Sequence, residues 1–169
     1  FVQAKFHDID EQLEDQNIEL KALTRISDTV GDRGHVNVTS YNRMVLLTGE
    51  VASEADRTTL EQAIGRVEGV RSIVNELAVM GSSSFTARSN DTVLTSMVKA
   101  SFVDAKDLQS NAFKVVTERA TVYLMGRVTE REAARAAELA RGVSGVQKVV
   151  RVFDILTDAE LAALGGTKN

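Results

Sequence analysis

The sequence predicts an α+β protein made of two tandem units, each with the element order α-β-β-α-β, followed by a short C-terminal helix. Two motifs occur twice, 77 and 76 residues apart: residues 45–51 return as 122–128, and residues 67–70 return as 143–146. Between these motifs, helical spacing and strand spacing of the apolar residues alternate in the same order in both copies. The chain is therefore a tandem duplication.

The repeat also predicts the domain boundaries. Gly81 and the three serines after it have the composition of a short flexible linker. Units of about 65 residues lie near the lower size limit for an independent core, so we expect the two to pack face to face. The predicted segments are an acidic leader at 1–14, domain 1 at 15–80, a linker at 81–90, domain 2 at 91–156, and a C-terminal helix and tail at 157–169.

The first element of each unit is a helix. Asp15 precedes the helix predicted at 16–30, and Asp91 precedes the one at 92–105. Both are interpreted as N-caps, where a carboxylate accepts free backbone N–H groups. Apolar residues at a spacing of four give each helix a core stripe: Ile18, Ala22 and Ile26 in the first copy, and Leu94, Val98 and Phe102 in the second.

A β-hairpin follows the first helix in each unit. Both hairpins are expected to end at a glycine, Gly49 or Gly126. The predicted strands and turns are 35–41, 42–43 and 44–48 in unit 1, and 112–117, 118–120 and 121–125 in unit 2.

A second helix follows Ser53 in unit 1 and Thr129 in unit 2. Each hydroxyl residue has an acid three positions later, which is the pattern of a helix start. The final strands, predicted at 71–80 and 148–155, return after this helix, so each three-stranded sheet is expected to be mixed, with both helices on one face. Thr157 begins the same capping pattern and predicts the short C-terminal helix.

Charge and composition exclude several classes of function. No apolar run approaches the ~20 residues that a membrane span requires. The net charge of −4 argues against a nucleic-acid-binding protein, for which a basic face is the usual footprint. Residues 1–80 hold 8 basic and 14 acidic side chains, whereas residues 81–169 hold 12 and 10. Only the second unit therefore suits an anionic partner.

Neither catalysis nor metal binding is predicted. The chain has no Cys, which excludes thiol chemistry and thiolate metal sites. His7 lies in an acidic run that is more simply solvated than metal-binding, and His35 has no predicted acid or nucleophile beside it. The Gly31 to Gly34 segment is a turn rather than a single-strand-binding loop. We predict no enzyme, no metal site and no cofactor.

The first helix of the second unit has a second apolar face. On a helical wheel, Val93, Met97 and Ala100 cluster away from the core stripe, and Val103 lies just beyond them. Lys99 and Lys106 are close in sequence. Such a face suits a shallow contact with anionic lipid head groups. The aligned positions in the first copy, 76 residues earlier, are all polar: Asn17, Lys21, Thr24 and Ser27.

An alternative interpretation of this apolar face is a protein contact. The same residues could pack against the first unit or against a second subunit, which would bury them inside the protein. The residues alone leave both interpretations open.

The repeated features resemble those of the BON domain, a small bacterial envelope module. They are the element order, the Val-x-Leu-x-Gly exit of the hairpin and the Val-x-Gly-Val turn. Two copies resemble the dual-BON lipoproteins of the DolP family, and the likeness is closest at residues 89–92 and 122–133. About 145 of the 169 residues are covered.

The resemblance implies a non-enzymatic protein of the periplasm, held at the inner leaflet of the outer membrane by a lipid on a Cys upstream of Phe1. It implies support of envelope integrity, envelope proteins as further partners, and binding of an anionic phospholipid membrane through the first helix of the second domain. Val93 stands where that family can present an aromatic, which predicts shallower insertion. The alternatives are a soluble periplasmic adaptor or chaperone-like module, and a small-ion sensor.

Overall fold

The computed structural model of the protein describes residues 2–81 and 85–165, with side chains described for 10–81, 87–160 and 162–163. The chain divides into two compact units, Phe1–Ser84 and Phe85–Asn169. Unit 1 contains α1 (Val2–Val30), β1 (Gly34–Tyr41), β2 (Met44–Val51), α2 (Glu54–Gly65), β3 (Ser72–Asn75) and β4 (Ala78–Val79). Unit 2 contains α3 (Phe85–Asp104), a 3-10 turn (Ser110–Ala112), β5 (Lys114–Glu118), β6 (Thr121–Val128), α4 (Glu130–Arg141), β7 (Lys148–Ile155) and α5 (Asp158–Gly165).

The sheets are mixed, which confirms the predicted fold class. β1 and β2 are antiparallel, and β2 pairs in parallel with β3 and then β4. In unit 2, β6 lies between antiparallel β5 and parallel β7. The parallel pairs exist because a crossover helix separates their strands along the chain. Each unit thus has the α-β-β-α-β order, and unit 2 adds α5.

Each unit has its own hydrophobic core between its sheet and its two principal helices. In unit 1, the predicted stripe of α1 packs with Leu60 of α2 and Leu47 of β2. In unit 2, the stripe residues Val98 and Phe102 pack with the small side chains of α4, including Ala136. Alanine at these positions lets the helix backbone approach the sheet closely. Among the described residues, no helix combines the length and apolarity needed to span a membrane.

Both hairpins close through two-residue turns of left-handed backbone. The φ angles are 49° at Asn42 and 64° at Arg43, and 48° at Arg119 and 61° at Ala120. Consecutive positive φ values match the right-handed twist of the flanking strands. The prediction of a three-residue turn in unit 2 is wrong, because Glu118 belongs to β5.

Gly49 and Gly126 do not end the hairpins, contrary to the prediction. β2 continues through Gly49 to Val51, and β6 continues through Gly126 to Val128. A Cβ on Gly49 would collide with the carbonyl oxygen of His35, and one on Gly126 would lie 2.5 Å from the carbonyl oxygen of Ala112. Glycine is required here because the neighbouring backbone approaches closely.

The second helices begin as predicted. The Ser53 hydroxyl accepts a hydrogen bond from the backbone N–H of Asp56. Thr129 and Glu132 form a complete capping box, with the hydroxyl accepting from the Glu132 N–H and the carboxylate accepting from the Thr129 N–H. Each bond satisfies a helix donor that has no partner within the helix.

The final strand of unit 2 has the predicted bounds, whereas that of unit 1 is interrupted. β3 and β4 are separated at Glu76 and Leu77, and the Leu77 side chain is buried in the core. Arg57 of α2 donates to the carbonyl oxygens of Leu77 and Asn75 across this interruption, at 3.1 and 3.0 Å. The equivalent position in unit 2 is Ala133, which cannot form this clamp.

Both first helices begin earlier than predicted. α1 starts at Val2 and not at position 16, so the predicted leader is helical over 2–14. α3 starts at Phe85 and not at position 92, so residues 85–90 of the predicted linker belong to the helix. Both differences have one cause: Asp15 and Asp91 resemble N-caps in sequence, but both lie inside their helices.

The short C-terminal helix α5 is present as predicted. Thr157 and Glu160 exchange hydrogen bonds in the manner of a capping box, and the Glu160 carboxylate also pairs with the Arg127 guanidinium at 2.9 Å. The hydrogen bond from the backbone of Thr157 and then the bond from Arg127 hold the pKa of Glu160 below its ordinary value.

Candidate functional site

The inner face of α3 fixes how the helix lies on unit 2. Leu94, Val98 and Phe102 are all buried. The Phe102 ring lies 5.1 Å from that of Phe113, which precedes β5. Since these contacts occupy one side of α3, the opposite side is left for other interactions.

Asp91 sets the rotation of α3 about its axis. Its carboxylate oxygens accept hydrogen bonds from the backbone N–H groups of Arg119 and Ala120, at 2.7 and 2.9 Å. These are the two residues of the β5–β6 turn, and Asp91 is only 5% exposed. The residue predicted as a helix cap is therefore an anchor for the hairpin turn.

Asp15 performs the same task in unit 1. Its carboxylate accepts from the backbone N–H groups of Asn42 and Arg43 and from the Ser40 hydroxyl, each at 2.8 Å. Because both first helices are tied to their hairpin turns in the same way, residues 76 positions apart face equivalent directions in the two units.

The structure brings four of the predicted site residues into one exposed strip on α3. Val93 is 55% exposed, Met97 is 42% exposed, and Ala100 is also exposed. Val103 is 68% exposed. They follow one another at spacings of four, three and three residues, so the strip extends roughly 15 Å along the helix at 1.5 Å per residue. We call these four residues the α3 strip.

The two lysines lie at the margin of the α3 strip. Lys99 is exposed on the flank of the helix. At about 100° per residue, it lies roughly a quarter-turn from the α3 strip. Lys106 is exposed in the turn after α3 ends at Asp104. Both residues therefore lie beside the apolar surface and not within it.

An acidic residue on the same face was missed by the sequence reasoning. Asp104 is exposed and follows Met97 by seven residues and Ala100 by four, which places it on the line of the α3 strip. The wheel alone could have identified it, because the spacing is regular. Asp104 opposes the attraction of Lys99 and Lys106 for an anionic surface.

The first copy has an exposed apolar surface that the sequence comparison also missed. The positions aligned with the α3 strip are exposed and polar, as described above. Beside them, however, Leu13, Leu20 and Leu23 are 54%, 63% and 49% exposed. They lie on the outer side of α1, away from the buried Ile18 and Ala22.

Metal-binding groups are not assembled in the part of the chain that the structure describes. No group of three or more His, Asp or Glu side chains there is placed to hold a metal ion. His35 lies on β1 with its Nε2 3.4 Å from the side-chain nitrogen Nδ2 of Asn37. The His7 side chain lies outside the described side chains.

Comparison with known proteins identifies the family. The family model of the BON domain matches residues 14–81 and again residues 90–157. The outer membrane lipoprotein DolP of Haemophilus influenzae is 37% identical over 148 residues, which cover 86% of this chain and 76% of that protein. The 21 kDa hemolysin of Actinobacillus pleuropneumoniae is 28% identical over 145 residues, covering 85% and 75%.

A third relative shares a smaller part of the chain. The osmotically-inducible protein Y of Escherichia coli is 30% identical over 117 residues, which cover 68% of this chain and 58% of that protein. BON-domain proteins of this kind are not enzymes, which confirms the prediction of a non-enzymatic protein. With two matches that account for most of its length, the chain belongs to the BON-domain family as a tandem, DolP-type member.

Proposed function

We propose that this chain binds an anionic phospholipid surface of the bacterial envelope through the α3 strip, and that it supports envelope integrity without catalysing a reaction. The observation that carries the proposal is the exposure of Val93, Met97 and Val103 along one face of α3. Adjacent exposed apolar side chains on a small unit mark an interaction surface. The relative named as an outer membrane lipoprotein supports placing this surface at the periplasmic leaflet of the outer membrane.

The strip is suited to a shallow contact. Burying its three large side chains in the head-group region contributes a few kcal/mol at about 25 cal/mol per Å². Lys99 and Lys106 each add about 1 kcal/mol near an anionic surface, and Asp104 offsets one of them. Binding through the strip is therefore weak and reversible. An N-terminal lipid would supply the second signal that stable residence requires.

Vesicle co-sedimentation tests the proposal. The wild-type chain is compared on neutral phosphatidylcholine vesicles and on vesicles that also contain phosphatidylglycerol. We expect binding to the anionic vesicles, weakened by salt. Ala100→Glu and Met97→Glu place a charge within the strip and should lower this binding by roughly tenfold or more.

The repeat supplies a matched control. Thr24 is exposed on α1 at the position equivalent to Ala100, so Thr24→Glu introduces the same charge at the same place on the other unit. We expect Thr24→Glu to bind like the wild type. Equal binding by Met97→Glu and the wild type would sink the lipid-face proposal.

The second candidate function is a protein-binding adaptor of the envelope that uses the same strip. Asp104 favours it, because an acid in line with the strip is tolerated by a protein partner that offers a cation and is disfavoured by an anionic membrane. Asp104→Asn separates the two candidates. It should strengthen binding to anionic vesicles roughly fivefold if the surface is lipid-binding, which is the effect of about 1 kcal/mol. No gain in vesicle binding favours the adaptor.

A further inference from the structure

Two arginines of α4 converge on Asp107, in the turn that follows α3. The Arg135 Nε donates to the Asp107 Oδ2 at 3.1 Å, and the Arg131 Nη1 lies 3.7 Å from the same oxygen. Arg131 also donates from Nη2 to the backbone carbonyl oxygen of Asp107, at 3.3 Å. Both guanidinium groups are therefore held beside the C-terminal end of α3.

Arg131 and Arg135 lie on the same side of unit 2 as the α3 strip. At 100° per residue, each arginine is more than a quarter-turn away from every buried alanine of α4. Their side chains are 64% and 37% exposed. Because α3 and α4 contact each other and cover the same face of the sheet, the outward faces of the two helices point in the same direction.

Unit 1 has neither the arginine pair nor the apolar strip. The residues equivalent to Arg131 and Arg135 are Ala55 and Thr59, 76 positions earlier, and both are exposed. Gly31 is equivalent to Asp107. The arginine pair and the α3 strip thus occur together, in one unit and on one side of it, which indicates that they belong to one surface.

We infer that Arg131 and Arg135 bind the phosphate group of an anionic phospholipid while the α3 strip contacts the same leaflet, an inference that rests on the proposed function. Each guanidinium carries five N–H donors in a planar fork that matches a phosphate, and Asp107 uses only some of them. The apolar face of an interfacial helix lies at the boundary between head groups and acyl chains. Cationic groups that flank such a face lie at the level of the phosphates.

Hydrogen-bond geometry, rather than net charge, distinguishes this pair from Lys99 and Lys106. Asp107 and Glu138, whose carboxylate lies 3.7 Å from Arg135, balance the two positive charges of the pair. Its long-range attraction for an anionic surface is therefore small. Recognition of a phosphate depends instead on forked hydrogen bonds, which the single ammonium of a lysine does not reproduce.

A double substitution that keeps the charge tests the inference on the whole chain. Arg131→Lys/Arg135→Lys retains both positive charges and removes both forks. We expect its binding to phosphatidylglycerol-containing vesicles to fall roughly fivefold in co-sedimentation, because the forked bonds are lost. Exposed ion pairs contribute little to stability, so the variant should keep its fold, which far-UV circular dichroism checks.

Arg151 supplies the matched control. Its side chain is 36% exposed and pairs with Glu130 at 2.8 Å, on the flank of α4 that faces β7. Arg151→Lys should therefore bind the vesicles like the wild type. Equal losses in Arg151→Lys and in the double variant would overturn the inference, because the effect would then not depend on position.

NMR signals of the arginine Nε–H groups provide a direct measurement. Those of Arg131 and Arg135 should shift when nanodiscs containing phosphatidylglycerol are added, and that of Arg151 should not. Equal shifts with inorganic phosphate at the same phosphate concentration would overturn the assignment to a lipid head group.

The outcomes separate this inference from the proposed function. If the double variant binds like the wild type while Met97→Glu loses binding, the strip remains a lipid surface and the arginine pair is not part of it. If the wild type does not bind anionic vesicles, the proposed function fails and the inference fails with it.

Discussion

Removal of the Asp91 carboxylate is expected to destabilise unit 2 by about 2–4 kcal/mol. A hydrogen bond to a charged group contributes about 1.5–3 kcal/mol, and the carboxylate accepts two such bonds from the hairpin turn, at 2.7 and 2.9 Å. The two bonds share one acceptor group, so their contributions are less than additive. The turn residues Arg119 and Ala120 have left-handed backbone, which costs a residue with a side chain about 1–2 kcal/mol. The carboxylate therefore offsets a conformation that the turn does not prefer.

Two substitutions at this position give graded outcomes. Asp91→Ala removes both acceptors. Asp91→Asn retains one oxygen and turns an amide N–H toward the other donor, so we expect a loss of about 1–2 kcal/mol. Asp104→Asn removes the same charge from an exposed residue of the same helix and should change stability by less than about 0.5 kcal/mol.

Urea unfolding followed by circular dichroism measures the free energy of unfolding, and hydrogen exchange assigns the change to unit 2. Protection of residues 114–125 should fall in Asp91→Ala and persist in Asp104→Asn. If Asp91→Ala lies within about 0.5 kcal/mol of the wild type, the carboxylate does not hold the turn.

Three further changes test single features of the fold. Gly126→Ala should destabilise unit 2 by more than about 2 kcal/mol in urea unfolding, because its Cβ would lie 2.5 Å from the carbonyl oxygen of Ala112. Ala120→Gly should instead raise the free energy of unfolding by about 0.5–1 kcal/mol, because glycine adopts the φ of 61° without a Cβ clash; a loss of stability would contradict this account. The folded pKa of Glu160 is lowered, so its contribution is present above the unfolded pKa and is lost as pH falls through the folded value. Amide NMR shifts of α5 should therefore change below about pH 4.5, and the change should be clearly smaller in Glu160→Gln, which keeps only the Asp158 carboxylate in this helix and whose bond to Arg127 is weakened at every pH.

Much of this fold could be predicted from the sequence because its strongest signals are periodic or local. The core stripes of α1 and α3 follow from apolar spacing, and the capping box at Thr129 follows from a hydroxyl and an acid three residues apart. The mixed sheets follow from the crossover helix. Each of these features depends on residues within a few turns of one another.

The errors arose where a local pattern had a distant cause. Asp15 and Asp91 resemble N-caps in sequence, but their carboxylates accept from turns whose residues lie 27 to 29 positions away. Gly49 resembles a strand terminator, but it is small because the backbone of β1 approaches it. A single sequence contains no signal for contacts of this kind.

Reading Asp15 as an N-cap also explains why the sequence does not predict the exposed apolar surface of α1. With α1 expected to begin at position 16, Leu13 fell outside the helix, and Leu20 and Leu23 alone did not form a face. The candidate strip on α3 was found because all its members lie after Asp91.

The hydrogen bonds of Asp15 and Asp91 allow the outer faces of α1 and α3 to be compared position by position. Since Asp15 and Asp91 fix both first helices to their hairpins in the same way, equivalent positions point in the same direction in each unit. The two apolar surfaces are offset by roughly 60° at 100° per residue. No equivalent pair is apolar in both copies. The pairs are Leu13/Ser89, Gln16/Thr92, Leu20/Ser96, Leu23/Lys99, Asn17/Val93, Lys21/Met97, Thr24/Ala100 and Ser27/Val103. The exposed apolar residues of α1 and α3 therefore occupy different outer faces, and the α3 strip has no apolar counterpart in unit 1. If the α3 strip binds the membrane as proposed, a charge placed at Lys21, Thr24 or Ser27 should leave vesicle binding intact, whereas the same charge at Met97 or Ala100 should weaken it.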